Sequence, residues 1–178
     1  MKSLLFQAVV LFMLFSVMFL PVAQAAEHGV TVGYGFGALN LNKQMMKIEG
    51  GRSYDFFQVS YLYERPYRHP KVALILEPFT AYVNRPESGV DIGFNGGIKW
   101  YPFDSGTGLY LSPQVGMAYT TIKFNEQGTH LLFILQATLG FRYKNLFIED
   151  RFRHYSNGAT AAPNRAVHAN IVVVGMYF

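Results

Sequence analysis

The chain has 178 residues, 15 of them Lys or Arg and 11 Asp or Glu, and no cysteine. That length suits one folding unit, the lack of cysteine excludes a disulfide framework, and a scattered net charge of +4 argues against a nucleic-acid surface. Aromatic residues are abundant instead, 12 Tyr and 16 Phe, as expected of a chain that builds girdles at a membrane boundary.

The chain opens with Met1-Lys2-Ser3, an uncharged run from Leu4 to Leu20, and Pro21-Val22-Ala23-Gln24-Ala25. A positive start, an apolar middle and an Ala-x-Ala end make residues 1–25 a secretory signal peptide, with cleavage expected after Ala25 rather than retention as a membrane anchor. Without Lys2, 14 basic and 11 acidic residues remain in 26–178, a net +3 that suits an anionic lipid headgroup.

Beyond residue 25 no apolar run is long enough for a membrane helix. What recurs is alternation with period two, in stretches of about ten residues separated by turn residues. Val30, Val32, Tyr34 and Phe36 alternate with Thr31, Gly33, Gly35 and Gly37. Less regular alternation covers roughly 54–64 and 71–83. In 90–101, Val90, Ile92, Phe94, Ile98 and Trp100 oppose Asp91, Asn95 and Lys99. In 109–119, Leu109, Leu111, Val115, Met117 and Tyr119 oppose Tyr110, Ser112, Gln114 and Gly116. The clearest stretch is 131–143, where Leu131, Phe133, Leu135, Ala137, Leu139, Phe141 and Tyr143 share one face. Two further stretches, roughly 146–155 and 168–178, complete the set, and the last ends with Val172, Val174, Met176 and Phe178 on one side.

Eight such segments predict an all-β, eight-stranded antiparallel transmembrane β-barrel. An exported sheet in lipid must pair every backbone group internally and therefore close. Eight strands leave an interior that side chains can fill. The destination is the outer membrane of a Gram-negative cell, with the terminal Phe178 resembling the signal read by the outer-membrane assembly machinery. Alternation sets the outer loops near 39–53, 84–89, 120–130 and 156–167, and the inner turns near 65–70, 102–107 and 144–145. Trp100 and Tyr101 read as girdle residues at the inner rim, and the lysines of the loop 42–52, Lys43 and Lys47, as candidates for lipid-headgroup contact.

The same parity turns Glu77, Asp91 and Glu149 inward together with Lys99, Arg142, Arg151 and Arg153. Opposite charges in a narrow interior are expected to pair, since each left alone costs several kcal/mol. A polar, bonded plug is a poor pore and a poor slot for a hydrocarbon chain. It argues against a barrel that measures an acyl chain inside, as a palmitoyltransferase-type barrel does. No phosphate loop, zinc spacing or calcium loop occurs, so no cofactor or metal is expected.

The most informative residues stand at the top of the seventh segment: Arg153-His154-Tyr155-Ser156-Asn157-Gly158, followed by Pro163-Asn164. Here the chain resembles the lipid A 3-O-deacylase (PagL-like) family, whose hallmark is His-x-Ser-Asn followed some seven residues later by Pro-Asn. The resemblance implies hydrolysis of an ester-linked 3-hydroxyacyl chain from the lipid A of lipopolysaccharide in the outer leaflet. Ser156 would be the nucleophile, His154 the general base, and amide groups near Asn157, by side chain or backbone, the oxyanion donors. Strand geometry agrees with this, because residues i and i+2 share a face about 6.5–7 Å apart, which puts His154 and Ser156 on the lipid side.

Two departures from the family pattern stand out. The position 14 residues after the motif His, which carries an orienting acid in well-studied members, is His168. Gly158-Ala159 replaces the commoner Ala-Gly. Asp150 shares the outward parity but lies four residues from His154, and either faces lipid or is turned inward by a bulge. The alternative to an enzyme is a non-catalytic small barrel, structural, adhesive or lipid A-binding, descended from a deacylase. A homodimer is compatible with the sequence and not fixed by it.

Overall fold

The structure, a computed structural model, describes residues 26–38, 52–103 and 106–178. The expectations for the leader 1–25, and for Lys43 and Lys47, lie outside the described residues. Eight strands follow one another: β1 Glu27–Gly37, β2 Asp55–Tyr67, β3 His69–Arg85, β4 Gly89–Trp100, β5 Gly108–Thr120, β6 Leu131–Tyr143, β7 Leu146–Ser156 and β8 Val167–Tyr177. Each pairs antiparallel with the next, and β8 returns to β1 with Val174 opposite Val32, so the sheet closes as a barrel in sequence order.

Every expected segment is a strand, and the departures are at the ends. β2 and β3 run on until a single residue, Arg68, separates them, where a turn over 65–70 was expected. A register shift between Pro66 and Tyr67 accommodates the tighter connection.

Alternation sorts the side chains. Val32, Ile92, Leu135 and Val174 stand out into the lipid zone, each more than half exposed. Trp100 is outward as expected, but Tyr101 is buried. The residue after an outward one must point in, and Tyr101 Oη donates to Glu64 inside the barrel.

The interior is layered rather than uniformly polar. An apolar cluster including Tyr54, Phe56, Phe124, Leu132 and Tyr155 fills the outer half, and Leu62, Ile75, Phe147 and Tyr177 form a smaller one at the inner end. The inner cluster needs Gly175, where a Cβ would come within 2.1 Å of the Phe147 ring.

Between the clusters lies the charged belt. Arg151 reaches Glu77 at 2.8 Å and Glu149 at 2.6 Å, and Lys99 reaches Glu64 at 2.9 Å. Nearer the inner rim, Arg142 grips both Glu27 oxygens at 2.7 Å. Two groups depart from the expected pairing. Arg153 is held by Gln136, Gln58 and the Tyr155 hydroxyl and lies over the Phe79 ring. Asp91 makes no ion pair among the described residues.

Candidate active site

His154 and Ser156 leave the same face of β7 near its outer end, both half-buried on the lipid side. The β7–β8 register puts His168 directly opposite His154. Facing residues of an antiparallel pair have Cβ atoms only about 5 Å apart, so two rings there must meet. His154 Nδ1 lies 2.9 Å from His168 Nε2, with ring centroids 5.0 Å apart. His168 in turn stacks on Phe152, at 5.5 Å and 23° between planes.

One proton sits between the two facing nitrogens. When His154 Nδ1 carries it, His168 Nε2 accepts, and His154 Nε2 is left with a free lone pair. That is the tautomer required of a base. The register thus brings together two of the sequence-derived site residues, His154 and His168. Ser156 lies on the same face two residues on, paired with Phe133 of β6. Among the described residues no hydrogen bond joins it to His154, a looseness common before a substrate tightens such a contact.

Asn157 points the other way, into protein, and is fully buried. Its Nδ2 donates toward the carbonyls of Ala161 and Pro163, both at 2.9 Å, and of Gln127. Its Oδ1 accepts from Ala159 N at 2.9 Å, and its own N–H donates to Asn164 Oδ1 at 3.0 Å. Asn157 and Asn164 therefore fold the loop after β7 and tie it to the β5–β6 loop, where Gln127 also bonds the Arg165 carbonyl. With the Asn157 side chain committed to this loop, the Gly158 N–H, two residues on from Ser156, is a backbone donor without a protein partner among the described residues.

The loop turns through Gly158 and Ala159, both at positive φ, 60° and 61°. At 158 a Cβ would come within 2.9 Å of the Phe133 ring, so glycine is favoured by space as well as by angle. Ala159 holds a conformation that costs a residue with a Cβ about 1–2 kcal/mol.

Asp150 stays on the lipid side. No bulge interrupts β7, and Asp150 accepts a 2.6 Å hydrogen bond from Asn170 Nδ2 on β8. Glu149 faces inward as expected.

One feature of the wall has no counterpart in the motif. A groove of about 600 Å³ runs from His154 and Phe152 across the outer faces of β6 and β5 to β4, with Gly96, Pro113 and Ala137 among its lining. The signal for it is small outward residues on three strands, Pro113 opposite Ala137 and Gly96 one row further toward the outer rim, and it is readable only once the registers are known.

The sequence profile of the family described as lipid A 3-O-deacylase (PagL) matches residues 55–177. No curated protein sequence matches the chain. Among solved structures, the barrel is similar to that of the outer membrane enzyme PagL, with a TM-score of 0.62 and 13% identity over 83% of this chain and 98% of that one. It is also similar to the outer membrane protein Ail of Yersinia pestis, with a TM-score of 0.52 and 12% identity over 86% of this chain and 100% of that one. At such identities the two structures speak for the fold alone, an outer-membrane β-barrel. The profile covers well over half of the sequence and takes in the whole of the His154–Asn164 region. The chain belongs to the lipid A 3-O-deacylase (PagL) family.

Proposed function

We propose that the protein is an outer-membrane esterase that removes an ester-linked 3-hydroxyacyl chain from lipid A, working on the lipid-facing wall of its barrel. The observation that carries this is the 2.9 Å contact between His154 and His168 on the outer face, beside Ser156. Nothing in barrel closure requires two imidazoles to meet in the lipid zone, where polar groups are costly.

In the proposed reaction Ser156 Oγ attacks the ester carbonyl and His154 Nε2 takes its proton. His154 Nδ1–H donates to His168 Nε2, which fixes the ring and its tautomer. The developing oxyanion is met by the Gly158 N–H, with Asn157 holding the loop in shape. Collapse of the tetrahedral intermediate expels the glucosamine hydroxyl, which receives the proton from His154. Water then repeats the sequence on the acyl-serine and releases the 3-hydroxy fatty acid.

The test is mass spectrometry of lipid A from outer membranes carrying the wild-type protein or Ser156→Ala. Loss of one hydroxyacyl mass with the wild type alone supports the deacylase. Identical spectra, with both barrels folded, would make the site a relic and the protein a structural or lipid A-binding barrel. The outer-membrane assembly machinery remains the proposed partner of Phe178, whose ring is outward and exposed.

A further inference from the structure

The lipid-facing rows of β4 to β8 carry a single Asp, Glu, Lys or Arg, and it is Asp150. A carboxylate is costly there and barrel closure has no use for one, since its register neighbours on β6 and β8 are Leu139 and Val172. Its position follows a pattern. Down the outer face of β7 and β8 the rows read Ser156, then His154 with His168, then Phe152 with Asn170, then Asp150 with Val172. The polar side chains thus form one line along the β7–β8 seam. Asp150 does not bond within its own row. Asn170 Nδ2 donates to its Oδ1 at 2.6 Å on the diagonal, which draws the carboxylate one row toward the histidines. Asn170 in turn is two residues, about 7 Å, from His168 on the same face of β8.

We propose that Asp150, held by Asn170, supplies to the His154–His168 pair the negative charge that position 168 does not carry. The proposal rests on the deacylase reading and makes Asp150 and Asn170 positioning residues, acting through the two rings. His168 Nε2 accepts from His154, so the proton of a neutral His168 ring is on Nδ1. When His154 Nε2 takes the serine proton, the proton on its Nδ1 can pass to His168 Nε2. His154 is then neutral again and His168 is the cation, on the strand that holds Asn170. Collapse of the intermediate reverses this: the shared proton returns to His154 Nδ1, and the Nε2 proton goes to the departing hydroxyl oxygen. Across about 7–10 Å, at an effective dielectric constant near 20, a carboxylate favours such a cation about tenfold or more. Among the described residues no other charge faces the seam. β6 turns Leu135, Ala137 and Leu139 toward it, β1 turns Tyr34 and Phe36, and the Tyr34 hydroxyl donates to Asp55 at 3.2 Å.

The test uses the full chain refolded in detergent micelles with a long-chain 3-hydroxyacyl ester. Asp150→Asn keeps an oxygen to accept from Asn170 and removes only the charge. It is expected to lower kcat about tenfold with KM unchanged, because the charge it answers develops only during the reaction. Asp150→Glu restores the charge and is expected to keep at least about a third of the wild-type kcat. Wild-type kcat in Asp150→Asn would overturn the proposal, as would equal losses in both variants, which would make shape and not charge the cause.

A second measurement does not depend on turnover. In Ser156→Ala, nitrogen NMR of the imidazoles near pH 6.5, about the ordinary midpoint of a histidine, reads the ratio of imidazolium to neutral ring for His154 and His168. Adding Asp150→Asn is expected to lower that ratio about tenfold, with His28 on β1 as the unchanged internal reference. An unchanged ratio would overturn the proposal. If the wild type cleaves no ester while the ratio still falls, the deacylase reading fails and the electrostatic link between Asp150 and the histidine pair stands.

Discussion

In the proposed reaction His168 accepts from His154 through a lone pair rather than a full negative charge. Both orient the ring and fix its tautomer, but a carboxylate also stabilises the imidazolium that forms when His154 takes the serine proton. His168→Glu is therefore expected to raise kcat about tenfold with little change in KM, because the added stabilisation appears only once charge develops. His168→Phe keeps a ring to stack on Phe152 and removes the acceptor, so kcat should fall about a hundredfold or more, again with KM held. Single-turnover hydrolysis in micelles separates the two parameters, and a KM change with constant kcat would sink this role for His168. The placement of His154, Ser156 and His168 on one outer face was legible in the sequence because strand parity fixes it. The role of Asn157 was not legible. Whether its amide faces substrate or folds its own loop depends on Gln127, 30 residues earlier, and no local pattern reveals that contact.

At the scale of elements, the β7–β8 ladder carries a second polar contact, Asp150 with Asn170, midway along the lipid-facing surface. A carboxylate on the lipid face costs less than the about 2–4 kcal/mol of a Lys or Arg at the bilayer midplane, and a hydrogen bond to a charged group returns about 1.5–3. Asn170→Val should thus destabilise the barrel by about 1–3 kcal/mol by leaving Asp150 alone. Adding Asp150→Val should recover that loss or more, since a matched apolar pair has no group left to satisfy. Urea unfolding in micelles, followed by tryptophan emission from Trp100, gives the four stabilities of the cycle, and additive effects would count against the pairing. Strand identity and facing were legible because period-two alternation is a local property. The choice between an outward and an inward Asp150 was not, because a bulge depends on the partner strand. Tyr101 was misread as a girdle residue for a related reason: its ring chemistry suits the membrane boundary, but the parity set by Trp100 turns it inward.

Over the whole molecule, the interior is a charged belt between two apolar clusters. Expecting a polar plug followed from the charges, which alternation identifies. The outer cluster was harder to see, because loop residues such as Phe124 fold into it and loops carry no period. Arg151 is the hinge of the belt, bonded to Glu77 and Glu149 with all three buried. Arg151→Met leaves buried Glu77 with no ion pair among the described residues and Glu149 with only Lys99, at 3.9 Å, and should cost about 3–5 kcal/mol. Arg52→Ala, which breaks a partly exposed bond to Glu126 at the outer rim, should cost no more than about 1. Heat-modifiable mobility on gels and urea midpoints would compare them, and equal midpoints would mean that the belt is hydrated well enough to tolerate the loss.

The described interior of the barrel is filled with side chains, and the proposed site lies on its flank. A substrate of the proposed reaction would meet His154 sideways, by drifting in the plane of the leaflet, so collisions would be counted per unit of membrane rather than per unit of volume. The velocity of the proposed reaction would then follow the mole fraction of lipid A among its neighbours. Adding inert detergent or phospholipid would slow the enzyme by dilution in two dimensions, even where the bulk concentration of every component that reacts is unchanged.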